Sequence, residues 1–183
     1  MKQGIRILAL DDSSFKKGER DNLIVGVVGR GDLIEGILSF RVAVDGDDAT
    51  GKIIKKVRGS RFSGQIKLIV VNGIAIAGLN FVDIGEVSRS LRIPAVNIVR
   101  RKPHSTELSK AIRASGASAK KKLALLKKLN SEFKITKVGG FYVQCAGIKP
   151  AEFSRFLQSA MHFLRLAHLI ASGVAIGESR GRI

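Results

Sequence analysis

Short apolar runs bounded by turn residues constrain this chain more than any other feature. Residues 5–10, 66–71 and 93–99 are rich in Ile, Val and Leu, and each ends in a polar or glycine-containing break. Runs this short do not make an ordinary helix, and their apolar content leaves no face for water, so they read as strands covered on both sides. Residues 23–28 and 33–44 supply two more strand candidates. Gly29-Arg30-Gly31-Asp32 separates them and suits a hairpin turn. The first three strands therefore predict an antiparallel meander.

Helical spacing fills much of the remainder. After the acidic turn Asp45-Gly46-Asp47-Asp48, the residues Ile53, Ile54 and Val57 repeat at helical intervals, and carboxylates suit the start of such a helix. The strand at 66–71 breaks at Asn72-Gly73. A glycine-spaced segment then runs to Asp83, a helix is expected at 85–91 and a fifth strand at 93–99. Residues 104–132 carry helical spacing interrupted at Ser115-Gly116, with Leu123, Leu126 and Leu129 on one face and the surrounding lysines in solvent. A short strand at 141–146 and helices at 150–163 and 164–171 complete the pattern. A meander followed by strand, helix, strand, helix predicts an α/β fold with a mixed sheet, and 183 residues suit one domain over 1–183.

Charge narrows the partner. The chain has 32 Lys and Arg against 15 Asp and Glu, a formal net charge of +17. Self-repulsion on this scale costs stability, and a polyanion relieves it, so nucleic acid fits best. An acidic membrane surface and a merely basic soluble protein are the other readings. The single Cys145 forms no internal disulfide and sits in an apolar run, which suits a buried thiol. No apolar stretch is read as a membrane span, and residues 1–4 lead into a strand rather than a cleavable signal, so the expected compartment is the cytoplasm.

The chemical signal is acidic residues at element ends within a basic chain: Asp11 and Asp12 after the first strand, Asp45, Asp47 and Asp48 after the third, and Glu152 near a late helix start. Gathered together, carboxylates can hold Mg²⁺, which prefers oxygen ligands and can activate water against a phosphodiester. Taken singly, each reads first as a turn or cap residue. His104, His162 and His168 lack zinc-ligand spacing and read as surface or core contacts. No Walker loop or nucleophile elbow is present, and Gly26-Val27-Val28-Gly29-Arg30-Gly31 lies between strands rather than before a helix.

Several blocks, in order, carry a family resemblance. Ala9-Leu10-Asp11-Asp12-Ser13-Ser14-Phe15 is similar to the first metal-ligand strand of endonuclease V, and Gly36-Ile37-Leu38-Ser39-Phe40-Arg41 resembles its Gly-Phe-Leu-Ser-Phe-Arg segment. The stretch from Val70-Val71-Asn72-Gly73 to Gly78, the run from Arg92-Ile93-Pro94 to Arg100-Arg101, and the run from Tyr142 to Glu152 resemble its later strands. Arg165-Leu166-Ala167-His168 and the polar tail from Gly177 to Gly181 look like the end of the endonuclease dU family, a compact relative. The resemblance covers most of the chain. It implies a ribonuclease H-like fold and Mg²⁺- or Mn²⁺-dependent cleavage of DNA at or near a deaminated base such as deoxyuridine.

The resemblance carries over Asp11 and Glu152 as catalytic metal ligands. Two positions depart from endonuclease V: Val42 stands where it has Glu, and Asn72 where it has Asp. Asp45 is the expected substitute for the first, with Asp48 behind it, and the Asn72 carbonyl for the second. Asp12, Asp48, Gly73, Gly78, Arg100 and Arg101 are the expected substrate contacts, the glycines allowing close approach to a base or simply forming a tight crossover, and the polar tail is expected to be either mobile or a further phosphate contact. A non-catalytic nucleic-acid-binding protein of the same fold, and a nucleotide- or RNA-processing enzyme using the same carboxylates, are the competing functions.

Overall fold

The computed structural model describes residues 4–16, 18–102, 105–116 and 118–178. The expected meander is present. Strands β1 (Ile7–Asp12), β2 (Asp21–Arg30) and β3 (Leu33–Ala43) pair antiparallel in order, and β2 turns into β3 through Gly31 at φ 64. Helix α1 (Ala49–Arg58) crosses to β4 (Leu68–Asn72), which lies parallel to β1. The glycine-spaced segment is a small hairpin of β5 (Ala75–Ile76) and β6 (Asn80–Phe81), followed by α2 (Ile84–Leu91). Asp83 starts α2 by accepting from the Glu86 N–H at 2.9 Å.

Strand β7 (Ala95–Val99) runs parallel to β4. Helices α3 (Ser105–Ala114) and α4 (Ala119–Glu132) precede β8 (Thr136–Val138) and β9 (Phe141–Ala146), and β9 is antiparallel to β7. The seven-stranded mixed sheet has the order β3-β2-β1-β4-β7-β9-β8. The expected helices at 150–163 and 164–171 are instead a short α5 (Pro150–Phe153), a 3-10 turn and one continuous α6 (Leu157–Ile176). Nothing breaks the apolar stripe of α6 between Phe163 and Ala171, so the chain has no reason to stop there.

Because successive strand residues face opposite sides, each buried strand feeds two cores. Leu8, Leu10, Ile24, Ile69 and Val71 meet Ile53, Val57, Val87 and Leu129 of the helices on one face. Ile7, Ala9, Val25, Val27, Val70 and Val96 meet Phe163, Leu164, Ala167 and Ala171 of α6 on the other. Phe163 rests on Gly29, where an added Cβ would lie 2.3 Å from the ring, so that glycine sets the approach of α6 to β2. By length and composition, Pro150–Ile176 could cross a membrane, which corrects the expectation that no apolar stretch is long enough to span one. In the fold, its apolar stripe covers β1 and β2.

Two side chains differ from their sequence expectation in burial. Lys122, expected among solvated lysines, is 2% exposed, and its Nζ donates to the Asp45 carbonyl. It shares a helix face with Leu126 and Leu129, so its stem fills core space while its charge ends on a backbone oxygen. Cys145 is half-buried, and burial pushes its thiol up to about 11, which suits a structural thiol. His104 and the tail beyond Glu178, an expected phosphate contact, lie outside the described residues.

Candidate active site

The parallel strands β1 and β4 end side by side, which brings Asp11 and Asn72 together. The Asn72 amide donates to Asp11 Oδ1 at 3.0 Å, and the Asp12 N–H donates to the same oxygen at 2.9 Å. Asp11 is 1% exposed, and its Oδ2 has no hydrogen-bond partner. His168 on α6 places Nδ1 3.2 Å from Oδ2, close enough for attraction but misaligned for a hydrogen bond. Burial raises the Asp11 carboxyl to about 7. The Asp12 charge adds to that rise, while Asn72, the Asp12 N–H and His168 oppose it.

Asp12 leaves the opposite face of β1. Its Oδ2 accepts from the Ala77 N–H at 2.8 Å and, more weakly, from the Asn22 amide at 3.4 Å. Burial raises its carboxyl too, against the pull of the Ala77 N–H, its own N–H, Asp11 and His168. Asn22 also binds the backbone and hydroxyl of Ser13, which fixes the chain leaving β1.

Asp45 and Asp48 do not join Asp11. Asp45, at φ 52, accepts the Leu79 N–H at 2.8 Å, and its own N–H donates to the Ala77 carbonyl. Asp12 and Asp45 thus hold the β5–β6 turn from two sides, and the carboxylate expected to replace the one missing at Val42 is occupied there. Val42 itself is buried in the core. Asp48 accepts from Asn80 at 2.6 Å and from the Ala43 N–H, and pairs with Lys52 at 2.7 Å. Burial would raise its carboxyl, but Lys52, Asn80 and Ala43 outweigh that and lower it. Gly73 (φ 97) and Gly78 (φ 82) serve the tight crossover: a Cβ on Gly78 would lie 2.3 Å from Asp45 Oδ1.

Glu152 is placed at the wrong end of the sheet. β9 runs antiparallel to β7 and pairs Ala146 with Ala95, so the chain leaves β9 beside the start of β7 rather than its end. Glu152 is exposed there. From Leu157, α6 climbs at about 1.5 Å per residue and reaches His168 roughly 16 Å further along. His168, not Glu152, is the late residue that meets Asp11. The sequence held a signal for it, since His168 follows Ala167 and lies one turn past Leu164 on the buried stripe, but only packing gives it Asp11 as neighbour.

Around this cluster the surface is concave. A pocket of about 180 Å³ opens between Asn72, His168, Arg100 and Met161. A groove of about 730 Å³ runs from Asn22 and Phe15 past Lys16, Arg20 and Arg41 to the end of α6. Arg100 and Arg101 are exposed. Among the described residues, no three Asp, Glu, His or Cys side chains form a metal cluster. The orphaned Asp11 Oδ2 nonetheless fits a hard cation. Mg²⁺ commonly takes one or two carboxylates and fills its other positions with water and substrate phosphate.

The endonuclease dU family model matches residues 3–175. The chain belongs to the endonuclease dU family. UPF0215 proteins of Methanothermobacter thermautotrophicus and Archaeoglobus fulgidus are each 36% identical to this endonuclease dU family member, over 99% and 97% of it and 93% and 97% of their own lengths. A crystal structure of a protein of unknown function from Archaeoglobus fulgidus superposes with a TM-score of 0.85 at 36% identity, covering 94% of this chain and 99% of that one. Human endonuclease V superposes with a TM-score of 0.52 at 12% identity, covering 89% and 81%. This family member therefore has the mixed α/β fold of endonuclease V, and its membership points to a nuclease.

Proposed function

We propose that this protein is a metal-dependent endonuclease that cuts DNA at or beside a deaminated base such as deoxyuridine, acting in the cytoplasm. The observation that carries the reading is the buried Asp11 carboxylate, with one oxygen unpartnered, at the adjoining ends of β1 and β4. Asp11 Oδ2 and the Asn72 carbonyl would hold Mg²⁺ or Mn²⁺. Such an ion, when bound, supplies a water of lowered pKa and neutralises charge on a phosphodiester. Asn72 and the Asp12 N–H orient the Asp11 carboxylate by fixing its Oδ1. His168 stands beside Oδ2, where it can hold a proton or a phosphate oxygen. Lys16, Arg20, Arg100 and Arg101 offer phosphate contacts that set register without reading sequence.

End-labelled DNA carrying one deoxyuridine or deoxyinosine, incubated with Mg²⁺ or Mn²⁺, tests the reading. Lesion-dependent nicking should disappear with chelator, on undamaged DNA and in Asp11→Asn. Nicking that survives Asp11→Asn refutes the assignment of the site. The buried Val42 and the amide at Asn72 favour one second reading, a nucleic-acid-binding protein without catalysis. Salt-sensitive binding with no nicking under any metal would establish it.

A further inference from the structure

We infer that the edge strand β3 is an interface at which two copies of this chain pair, antiparallel and symmetric about Ser39. The inference goes beyond the nuclease reading and does not depend on it. β3 is one edge of the seven-stranded sheet and β8 the other. β8 has three residues and offers little to pair with, whereas β3 has 11. A long uncovered edge is a template for another strand unless something blocks it.

The hydrogen bonds at the end of β3 fix which of its backbone groups face outwards. The Val44 N–H donates to the Arg20 carbonyl, while the Ala43 N–H turns away to the Asp48 carboxylate. Even-numbered residues of β3 therefore turn to β2, and Ile37, Ser39 and Arg41 aim their N–H and C=O groups off the edge, where no strand meets them among the described residues. The edge is closed on either side of them. Arg61 donates to the Glu35 carbonyl at 3.4 Å, and Asp48 and Asn80 take the N–H and C=O of Ala43. Glu35 and Ala43 are equidistant from Ser39 in sequence, so the open stretch is centred on that residue. A second copy laid antiparallel about Ser39 satisfies every open group on both. Ser39 exchanges both its bonds with its counterpart, and Ile37 of each copy does so with Arg41 of the other. This self-complementarity is what selects a second copy as the occupant.

The side chains agree. Leu38 and Val42 enter the core under α1, so Ile37, Ser39 and Arg41 share the α6 face; α6 packs on β1, β2 and β4 and leaves Ile37 52% exposed. Across the axis Ile37 lies on the aliphatic stem of Arg41. The Arg41 guanidinium is held by Asp21 of its own chain, so it brings no unpaired charge to the interface. Ser39 stands opposite Val25, and Val25 opposite Asp11. The two Asp11 carboxyls of the pair are thus five strand spacings apart, about 24 Å along the sheet.

Sedimentation velocity of the full-length protein without DNA, at rising salt, tests the pairing. The expected result is a dimer that strengthens as salt screens the net charge of +17 on each chain. Ser39→Lys sets two cations face to face on the axis and should weaken the dimer at least about tenfold. Cysteine cross-linking in mild oxidant reads the register. Counterparts in a hydrogen-bonded antiparallel pair have Cα atoms about 5.5 Å apart, within reach of a disulfide. Ser39→Cys should therefore cross-link, while Ile37→Cys and Arg41→Cys, each facing the other position, should match the parent with Cys145 alone. Circular dichroism melts identify any variant that has not folded, and the remaining variants then decide. A monomer at every salt and protein concentration overturns the inference. So does a dimer unaffected by Ser39→Lys, or cross-linking equal at the three positions. Dimers that form only with DNA and dissolve in salt would put nucleic acid between the copies and overturn it too.

Discussion

Replacing Asp11 with Asn should make the metal-free protein more stable while removing its nicking. A carboxyl raised by burial from its ordinary 3.8 to about 7 binds a proton more tightly folded than unfolded. Stability is therefore full below about pH 4, declines as pH rises towards 7, and is level above. At about 1.4 kcal/mol per pKa unit, the ceiling on that loss is about 4 kcal/mol. The introduced amide can keep the Asp12 and Asn72 contacts through its oxygen and turn its NH₂ towards His168, so little is lost in exchange. Urea unfolding of both proteins in chelator at pH 4.5 and pH 8 reads the difference. The variant should gain about 2 kcal/mol or more at pH 8 and far less at pH 4.5, a sizeable share of the ~5–15 kcal/mol that holds a domain. Equal stabilities at pH 8, or a gain independent of pH, would refute the account of Asp11 as a buried charge kept for function.

Other consequences can be checked separately. Gly78→Ala combines φ 82 with a Cβ 2.3 Å from Asp45 Oδ1 and should cost about 1–3 kcal/mol in a thermal or urea melt; an unchanged melt would mean the β5–β6 turn is not held as described. At Asp83, burial raises the carboxyl, but Lys128 and the Glu86 N–H outweigh it and the net shift is downward. Its contribution is therefore present above the ordinary carboxylate range and lost as pH falls through the lowered folded value. Asp83→Asn should be less stable than the parent at pH 7 and indistinguishable near pH 2, by chemical denaturation at both. Glu152→Gln should leave nicking within about twofold of the parent, since Glu152 sits at the far end of the sheet; a loss of tenfold or more would return it to the site. DNA affinity should fall by about 0.9 log unit per contacted phosphate for each log unit of salt, and a flat salt response would refute the phosphate contacts.

The strand runs at 5–10, 66–71 and 93–99, the meander and the mixed α/β arrangement were legible because strand periodicity and turn chemistry are local. Asp11 was legible too, as a carboxylate at the end of a buried strand. The β5–β6 hairpin and β8 were not, since two- and three-residue strands leave no periodic trace. The sequence divides α6 in two because nothing local distinguishes a continued apolar stripe from two helices in succession.

Tertiary structure alone decided which polar residues share the site. Whether Glu152 or His168 reaches Asp11 depends on β9 pairing antiparallel with β7, a contact between distant segments that reverses the end at which the chain emerges. The roles of Asp45 and Lys122 were settled the same way: one turned to the 77–79 backbone, the other buried with its charge on the Asp45 carbonyl, each according to neighbours far along the chain. The sequence by itself determined the longer strands, most of the helices, the charge and the family. Local periodicity and composition encode those, whereas the pairing of carboxylates with their partners is set by long-range packing.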